Sequence, residues 1–190
     1  MEEEFWEYSK KIYAQSHESF LWLQDKRALD VNLLLFCYWL GKNGKRLSME
    51  EVNRCCENVK LLRQQFIVPL RSSRRFLKNM DLPTDYEKLK KAILDVELEG
   101  ERIEQRILVA SLPDILVGDE VAEGEYILIM HYNISKYLKH EKVSFDKAIK
   151  STLNKIALSL FPNLSQKVFN QSFLFRFFKF RNFRKKNISN

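Results

Sequence analysis

The chain has 190 residues, of which 45% are hydrophobic and 30% are charged. This length suits a single hydrophobic core, and the composition excludes collagen-like, low-complexity and wholly disordered chains. The longest uninterrupted apolar run, 33–40, is far shorter than the ~18 residues that a membrane-spanning helix needs. The acidic start at 2–4 is unlike a targeting peptide, and an odd number of cysteines favours a reducing compartment. We therefore expect a cytoplasmic protein without a transmembrane segment.

The positive charge is concentrated at the C-terminus. The chain contains 32 Lys and Arg against 25 Asp and Glu. Residues 163–190 hold seven basic residues, no acidic residue and seven of the 14 phenylalanines, so residues 1–162 have no net charge. This contrast predicts a domain over 1–162 followed by a separate basic, Phe-rich tail over 163–190.

Three roles fit this tail, and the sequence leaves all three open. Its phenylalanines can dock on the domain or on a second copy of the chain. Alternatively, its rings and cations can associate with an anionic membrane surface or with nucleic acid. The candidate residues for contact with an anionic surface are Arg176, Lys179, Arg181, Arg184, Lys185 and Lys186.

Apolar residues recur at helical spacing along the domain, whereas strand signals are nearly absent. Helices are predicted over 3–15, 16–27, 31–40, 49–79, 84–112, 121–139 and 144–160. Several residues at the predicted starts are suited to cap a helix. They are Ser16, Asp30 and Ser144 as single N-caps, and Ser48 with Glu51 and Thr84 with Glu87 as capping boxes.

Two of the predicted helices form the largest unit of the fold. Pro69 lies inside the helix over 49–79 and removes one backbone hydrogen bond, so a kink is expected near 65–69. This helix is expected to pack antiparallel against the helix over 84–112. The helix over 31–40 is apolar on almost every side and should therefore be central. The predicted fold is all-α, a single-domain bundle of about seven helices around a long, Pro-kinked antiparallel hairpin.

Several motifs occur together in the first part of the chain: LQD at 23–25, DVNLLLFC at 30–37, WLG at 39–41, PLR at 69–71, RR at 74–75 and ELEGERIEQ at 97–105. This set resembles a small proteobacterial family of unknown function. The resemblance implies a bacterial, cytoplasmic, helical protein and implies no particular activity. It points to seven candidate ligand-binding residues: Gln24, Asp25, Asp30, Asn32, Arg71, Arg74 and Glu101.

The polar residues at 24–32 surround the junction of two predicted helices and have two interpretations. In a structural role, Asp30 caps the second helix and Asn32 satisfies backbone groups at the turn. Asp25 then closes the first helix or pairs with Arg27. In a functional role, these side chains form the polar floor of a ligand pocket or part of a partner surface.

The arginines at 71, 74 and 75 extend from one helix face and also have two interpretations. Arg71 and Arg74 can bind a phosphate or carboxylate group in a forked geometry. Alternatively, they pair across the hairpin with Glu97 and Glu101, which requires no ligand. We predict the cross-hairpin pairs.

The sequence indicates no catalytic residue, metal or cofactor. None of the three histidines has the Glu-x-x-His spacing of a di-metal helical bundle. Cys55 and Cys56 have no second cysteine pair to complete a zinc site. Phosphate-binding glycine loops, nucleophile elbows and zinc-protease motifs are absent from the sequence.

These observations favour a non-enzymatic binding or adaptor protein whose partner is another protein or a second copy of the chain. The first alternative is a small-ligand-binding protein or enzyme whose site uses Asp25, Asp30 and Asn32 with the Arg71/Arg74 cluster. The second alternative is a protein that associates with nucleic acid or with an anionic membrane surface through the tail, peripheral to the inner membrane.

Overall fold

In the computed structural model, residues 1–78, 86–112 and 125–162 are described. That part of the chain is almost entirely helical and contains no strand, which confirms the predicted all-α class. The helices are α1 (Glu2–Arg27), α2 (Val31–Lys42), α3 (Met49–Leu62), α4 (Val68–Lys78), α5 (Tyr86–Ala110), α6 (Glu125–His140) and α7 (Lys147–Leu160). A π-helical turn, Arg63–Ile67, joins α3 to α4.

Helix α1 spans the two short helices that were predicted at the N-terminus, and its backbone breaks at the predicted boundary, Ser16. Its backbone leaves the helical conformation at Ser16, with φ −141° and ψ 27°, and then continues as a helix. The side chain of Ser16 contacts Ser159 of α7, with 2.5 Å between the two hydroxyl oxygens. The predicted boundary is therefore a bend inside one helix.

If α3, the π turn and α4 are counted as one helix, as in the prediction, the described part has six helices instead of seven.

Helix α2 lies at the centre of the bundle, as predicted. Asp30 is its N-cap, and the Asp30 side chain accepts hydrogen bonds from the backbone N–H groups of Asn32 and Leu33. Every residue from 32 to 41 is buried, because α1, α5 and α6 pack around this helix. The helix that is apolar on almost every side thus has no face toward solvent.

The predicted capping box at the start of α3 is present, and a π turn lies where the kink was predicted. Ser48 and Glu51 form the capping box, with 3.0 Å from the Glu51 N–H nitrogen to Ser48 Oγ and 2.7 Å from the Ser48 N–H nitrogen to Glu51 Oε2. The helix widens before Pro69, where the Val68 N–H donates to the Arg63 carbonyl five residues earlier. Proline has no N–H to donate, and its ring clashes with the preceding turn of an α-helix. The wider π turn accommodates both. The expected kink is therefore a local widening of the helix.

Helices α3 and α4 pack antiparallel against α5, as the hairpin prediction requires. Asn58 of α3 donates to Ser111 just after α5 at 2.9 Å, whereas Arg71 of α4 contacts Glu97 near the middle of α5. The connection between the two arms and the predicted cap at Thr84 lie outside the described residues.

The predicted N-cap of the last helix is wrong. Asp146, two residues after Ser144, caps α7 by accepting from the Ile149 N–H at 2.9 Å. The same carboxylate binds Arg27 of α1 at 2.5 Å. The start of α7 is therefore set by a cap that also makes an ion pair with another helix. Local sequence cannot reveal this ion pair, because Arg27 is distant in the chain.

The part of the chain that the structure describes has no helix long and apolar enough to cross a membrane. The tail over 163–190, with its six candidate basic residues, lies outside that part. The boundary between domain and tail at 162 stays a prediction.

Helix α6 approaches α2 closely at Gly41. A Cβ atom at this position would lie 2.7 Å from both the Cα and the backbone nitrogen of Met130. Backbone atoms of a packed helix cannot move aside as a flexible side-chain end can, so the absence of a side chain at Gly41 sets the spacing of these two helices.

We predict that Gly41→Ala lowers the free energy of unfolding by about 2 kcal/mol or more, because the added methyl group overpacks the α2–α6 contact. Gly100→Ala is the matched control. Its Cβ would meet only side-chain atoms of Phe66 and Ile67, at 3.1–3.2 Å. Alanine also gains about 1 kcal/mol of helix propensity over glycine there. Urea unfolding measures the free energy of unfolding of both variants. An equal decrease in Gly41→Ala and Gly100→Ala would contradict the close approach at Gly41.

Candidate functional site

The junction between α1 and α2 is connected to α4 by two side chains from the end of α1. Gln24 Oε1 accepts a hydrogen bond from Arg71 Nη1 at 2.6 Å, and Asp25 binds Arg75 Nη2 at 2.6 Å. The expected pairing of Asp25 with Arg27 is wrong, because Arg27 binds Asp146 instead. The polar residues of the LQD motif at the end of α1 therefore contact the arginines of α4.

Arg71 and Arg74 are bound to glutamates of α5, as predicted. Arg71 Nε donates to Glu97 Oε1 at 2.9 Å, and Arg71 Nη2 donates to Glu101 Oε1 at 2.5 Å. Arg74 Nε donates to Glu97 Oε2 at 2.6 Å. The Glu97 side chain is only 4% exposed, so this carboxylate depends on the two guanidinium groups for its hydrogen bonds.

The two glutamates differ in their tendency to ionise. Burial opposes ionisation of Glu97, but hydrogen bonds from Arg74 and Arg71 outweigh it and hold its pKa below the usual value. Burial dominates at Glu101 and raises its pKa despite the charge of Arg71. On acidification, Glu101 therefore takes up a proton before Glu97 does.

A second polar network lies behind these ion pairs, at the start of α2. Asn32 Nδ2 donates to Glu104 Oε2 at 2.6 Å, and Asn32 Oδ1 accepts from Gln105 Nε2 at 2.8 Å. Asp30 binds Arg63 Nε at 2.7 Å. The Asn32 side chain thus bonds to side chains of α5, and its predicted role in satisfying backbone groups at the turn is wrong.

Glu104 is buried beside another carboxylate. It is 1% exposed and lies within hydrogen-bond reach of the Asp30 side chain. Burial, together with the negative charge of Asp30, raises the pKa of Glu104 well above its usual value. The folded protein therefore holds a proton on Glu104 more tightly than the unfolded chain does.

Helices α1, α2, α4 and α5 surround a cavity of about 370 Å³. Five of the seven candidate residues line it, namely Gln24, Asn32, Arg71, Arg74 and Glu101, whereas Asp25 and Asp30 do not. The rest of the wall is largely apolar and includes Trp6, Tyr13, Leu21, Leu35, Leu94 and Leu98. The structure therefore brings most of the candidate residues to one concave surface.

Two cavity residues with unpartnered polar atoms were not among the candidates from the sequence. Ser9 Oγ and Gln105 Oε1 are buried and have no hydrogen-bond partner among the described residues. The sequence does contain one signal, because Ser9 lies on the buried stripe of α1 between Phe5 and Ile12. A polar residue on an otherwise apolar helix face indicates a hydrogen-bonding role.

Residues 4–108 match the model of a family described as "Protein of unknown function (DUF2390)". The match spans more than half of the chain. The chain belongs to the DUF2390 family. This result confirms the resemblance to an uncharacterised family. No curated protein and no solved structure matches the chain.

The DUF2390 match includes every residue that lines the cavity, from Trp6 to Gln105. It also includes both networks at the junction of α1 and α2, from Gln24 to Glu104. Helices α6 and α7 follow the matched stretch. The candidate site therefore belongs to the part of the molecule that defines the family.

We predict that Glu104→Gln flattens the pH dependence of stability. A carboxyl group whose pKa is raised on folding stabilises the fold below its unfolded-state pKa, and this contribution is lost as the pH rises toward the folded-state pKa. Glutamine keeps an acceptor for Asn32 and cannot ionise. When the pH is raised from about 5 to about 8, the free energy of unfolding should therefore fall less for Glu104→Gln than for the natural chain. Urea unfolding at each pH measures it.

Glu104→Ala is the control for this test. It leaves the Asn32 amide without its acceptor, so it should cost about 1–3 kcal/mol at every pH. If the glutamine variant were as unstable as the alanine variant and kept the natural pH profile, Glu104 would be ionised in the folded protein.

Proposed function

We propose that this protein is a non-enzymatic binding protein whose cavity holds a small organic anion, a carboxylate or phosphate group attached to an apolar body. The observation that carries the proposal is the cavity itself, which combines arginines, apolar walls and unpartnered buried polar groups. Its volume of about 370 Å³ is at the lower end of the range of about 300–1,000 Å³ for small-molecule sites.

The charges around the cavity favour an anion. Arg71, Arg74, Arg75 and Lys10 line it, against two carboxylates, Glu97 and Glu101. The pairs with Glu97 use Nε and Nη2 of Arg74 and leave Nη1 without a partner among the described residues. A guanidinium group that is positioned by one carboxylate can still donate to a second anion.

The apolar and polar parts of the wall indicate the remainder of the ligand. Leu21, Leu94 and Leu98 offer contact to a hydrocarbon or aromatic group. Gln105 Oε1 is an acceptor and Ser9 Oγ is both donor and acceptor, so a small rotation of these side chains into the cavity would let a hydroxyl or amide on the ligand satisfy them. A ligand with these features would supply the hydrogen-bond partners that Ser9 and Gln105 lack among the described residues.

We predict that phenyl phosphate or phenylacetate raises the melting temperature of the full chain by several degrees at millimolar concentration, whereas benzyl alcohol does not. Arg74→Gln should weaken binding of the anions about tenfold, because it removes one charge-assisted hydrogen bond. Differential scanning fluorimetry and isothermal titration calorimetry measure the two effects.

Arg102→Gln is the matched control, because Arg102 is on the same hairpin but binds Glu3 and does not line the cavity. Equal loss of binding in both variants would indicate a general surface charge effect. A lack of any anion-dependent shift would leave the ion pairs as purely structural, which contradicts the proposal.

The adaptor interpretation is a second candidate, and one specific observation favours it. Exposed apolar side chains are concentrated on the hairpin, where α4 has no buried residue and Phe76 is 63% exposed. On α5, the exposed residues Leu89, Val96 and Ile103 are spaced by seven. This spacing allows identical helices to pack along a common seam. Because the net positive charge of the chain lies in 163–190, the domains over 1–162 carry no net charge that would oppose their contact, and we propose a second copy as the occupant.

We predict that the chain self-associates at tens of micromolar and that Val96→Lys shifts it to monomer, because a buried lysine would be desolvated at the seam. Leu61→Lys is the control, since Leu61 is equally apolar and 74% exposed but lies on α3. Sedimentation velocity measures the change. A natural chain that is monomeric at these concentrations, or a shift caused equally by both variants, would exclude this dimer.

Association of the tail with an anionic membrane surface or nucleic acid is a third proposal. It rests on the seven basic residues and seven phenylalanines of 163–190. Those residues lie outside the described part of the chain, so the proposal has the same support as it had from the sequence.

A further inference from the structure

A cluster of metal-ligating side chains lies outside the cavity, where α3 packs against the end of α6. The Sγ atom of Cys56, a ring nitrogen of His140 and a carboxylate oxygen of Glu141 all lie within 4.8 Å of one another. We infer that Cys56, His140 and Glu141 form a binding site for a zinc ion. Thiolate, imidazole and carboxylate are the three ligand types that zinc takes from proteins.

The backbone that carries these ligands is held in place. Cys56 is buried within α3. His140 is the last residue of α6, and the turn after it is closed by hydrogen bonds from the Glu141 N–H to the Tyr137 carbonyl and from the Val143 N–H to the Leu138 carbonyl. The ligands therefore come from two packed elements with a fixed separation, so only small side-chain movements are needed to close them on an ion.

The imidazole of His140 is oriented by a neighbour on α3. Asn53 Oδ1 lies 2.8 Å from His140 Nδ1. An amide oxygen can only accept, so Nδ1 carries the hydrogen and the lone pair of the neutral ring is on Nε2. A histidine that binds zinc usually donates its other N–H to an oxygen in this way. Asn53 therefore acts as a positioning residue for the proposed ligand.

The carboxylate of Glu141 is available for a cation. It makes no ion pair within the described part of the chain, although Arg63 lies close enough to feel its charge. Arg63 is already bound to Asp30 at 2.7 Å and to the Ala28 carbonyl at 2.9 Å. Zinc would form a bond to the Cys56 sulfur as the thiol proton leaves to solvent, and the partly exposed His140 and Glu141 would provide access.

This site was not predicted, because the expectation of no metal rested on the absence of a Glu-x-x-His pair and of a second cysteine pair. The structure instead places beside Cys56 two ligands that are more than 80 residues away in the chain. Three protein ligands leave a fourth position for water, as in open zinc sites.

Cobalt(II) titration of the full-length chain tests the inference, because cobalt replaces zinc and a thiolate ligand produces a charge-transfer band in the near ultraviolet. We expect one equivalent of cobalt to give this band and zinc to displace it. Zinc alone should raise the melting temperature by several degrees. Cys56→Ser should abolish the band, and His140→Ala and Glu141→Gln should each weaken zinc binding at least tenfold.

The matched controls are Cys55→Ser and His17→Ala. Cys55 is adjacent and equally buried but lies outside the cluster, and His17 is an exposed histidine of α1. Both variants should bind cobalt like the natural chain. Asn53→Ala should weaken zinc binding about tenfold while leaving the thiolate band in place, as expected for a positioning residue. A natural chain without the band, or loss of the band in Cys55→Ser but not in Cys56→Ser, would overturn the site.

Discussion

Helix α2 has no face toward solvent, and this constraint determines much of the arrangement around it. A helix buried along its length must still satisfy the backbone N–H groups of its first turn inside the protein. Asp30 does so for Asn32 and Leu33, but its carboxylate is then itself nearly buried. The charge of Arg63 compensates for it, whereas burial and the charge of Asp30 together raise the pKa of the neighbouring Glu104. The polar network at the junction of α1 and α2 is thus a consequence of burying this helix.

The same network forms one side of the cavity. Asn32 joins Glu104 and Gln105, and Gln105 has an unpartnered oxygen among the cavity residues. On the other side, Arg71 connects Gln24 of α1 to Glu97 and Glu101 of α5. The residues that hold α1, α2, α4 and α5 together are therefore largely the residues that a ligand would meet. Structural and binding interpretations of these residues are compatible.

Features that depend on neighbours in the chain could be predicted from sequence. The capping box at Ser48 and the central place of α2 follow from local chemistry and apolar content. The pairing of Arg71 with Glu97 followed from opposite charges on adjacent antiparallel helices. The partners of Asn32 and Cys56 could not be predicted, because they depend on how helices cross and lie more than 70 residues away. For the same reason the cap at Asp146, selected by an ion pair with distant Arg27, was missed.

The π turn before Pro69 has a consequence for comparing this chain with its relatives. A π turn contains one more residue than the α-helical turn that it replaces, so it rotates everything after it by about 100° around the helix axis. The direction in which Arg71 and Arg74 point is therefore set by the number of residues in Arg63–Ile67 as well as by their own positions. A relative that lacks one residue there could keep both arginines in its sequence and yet present them away from Glu97. Within the family, the length of this turn is as informative as the identity of the arginines.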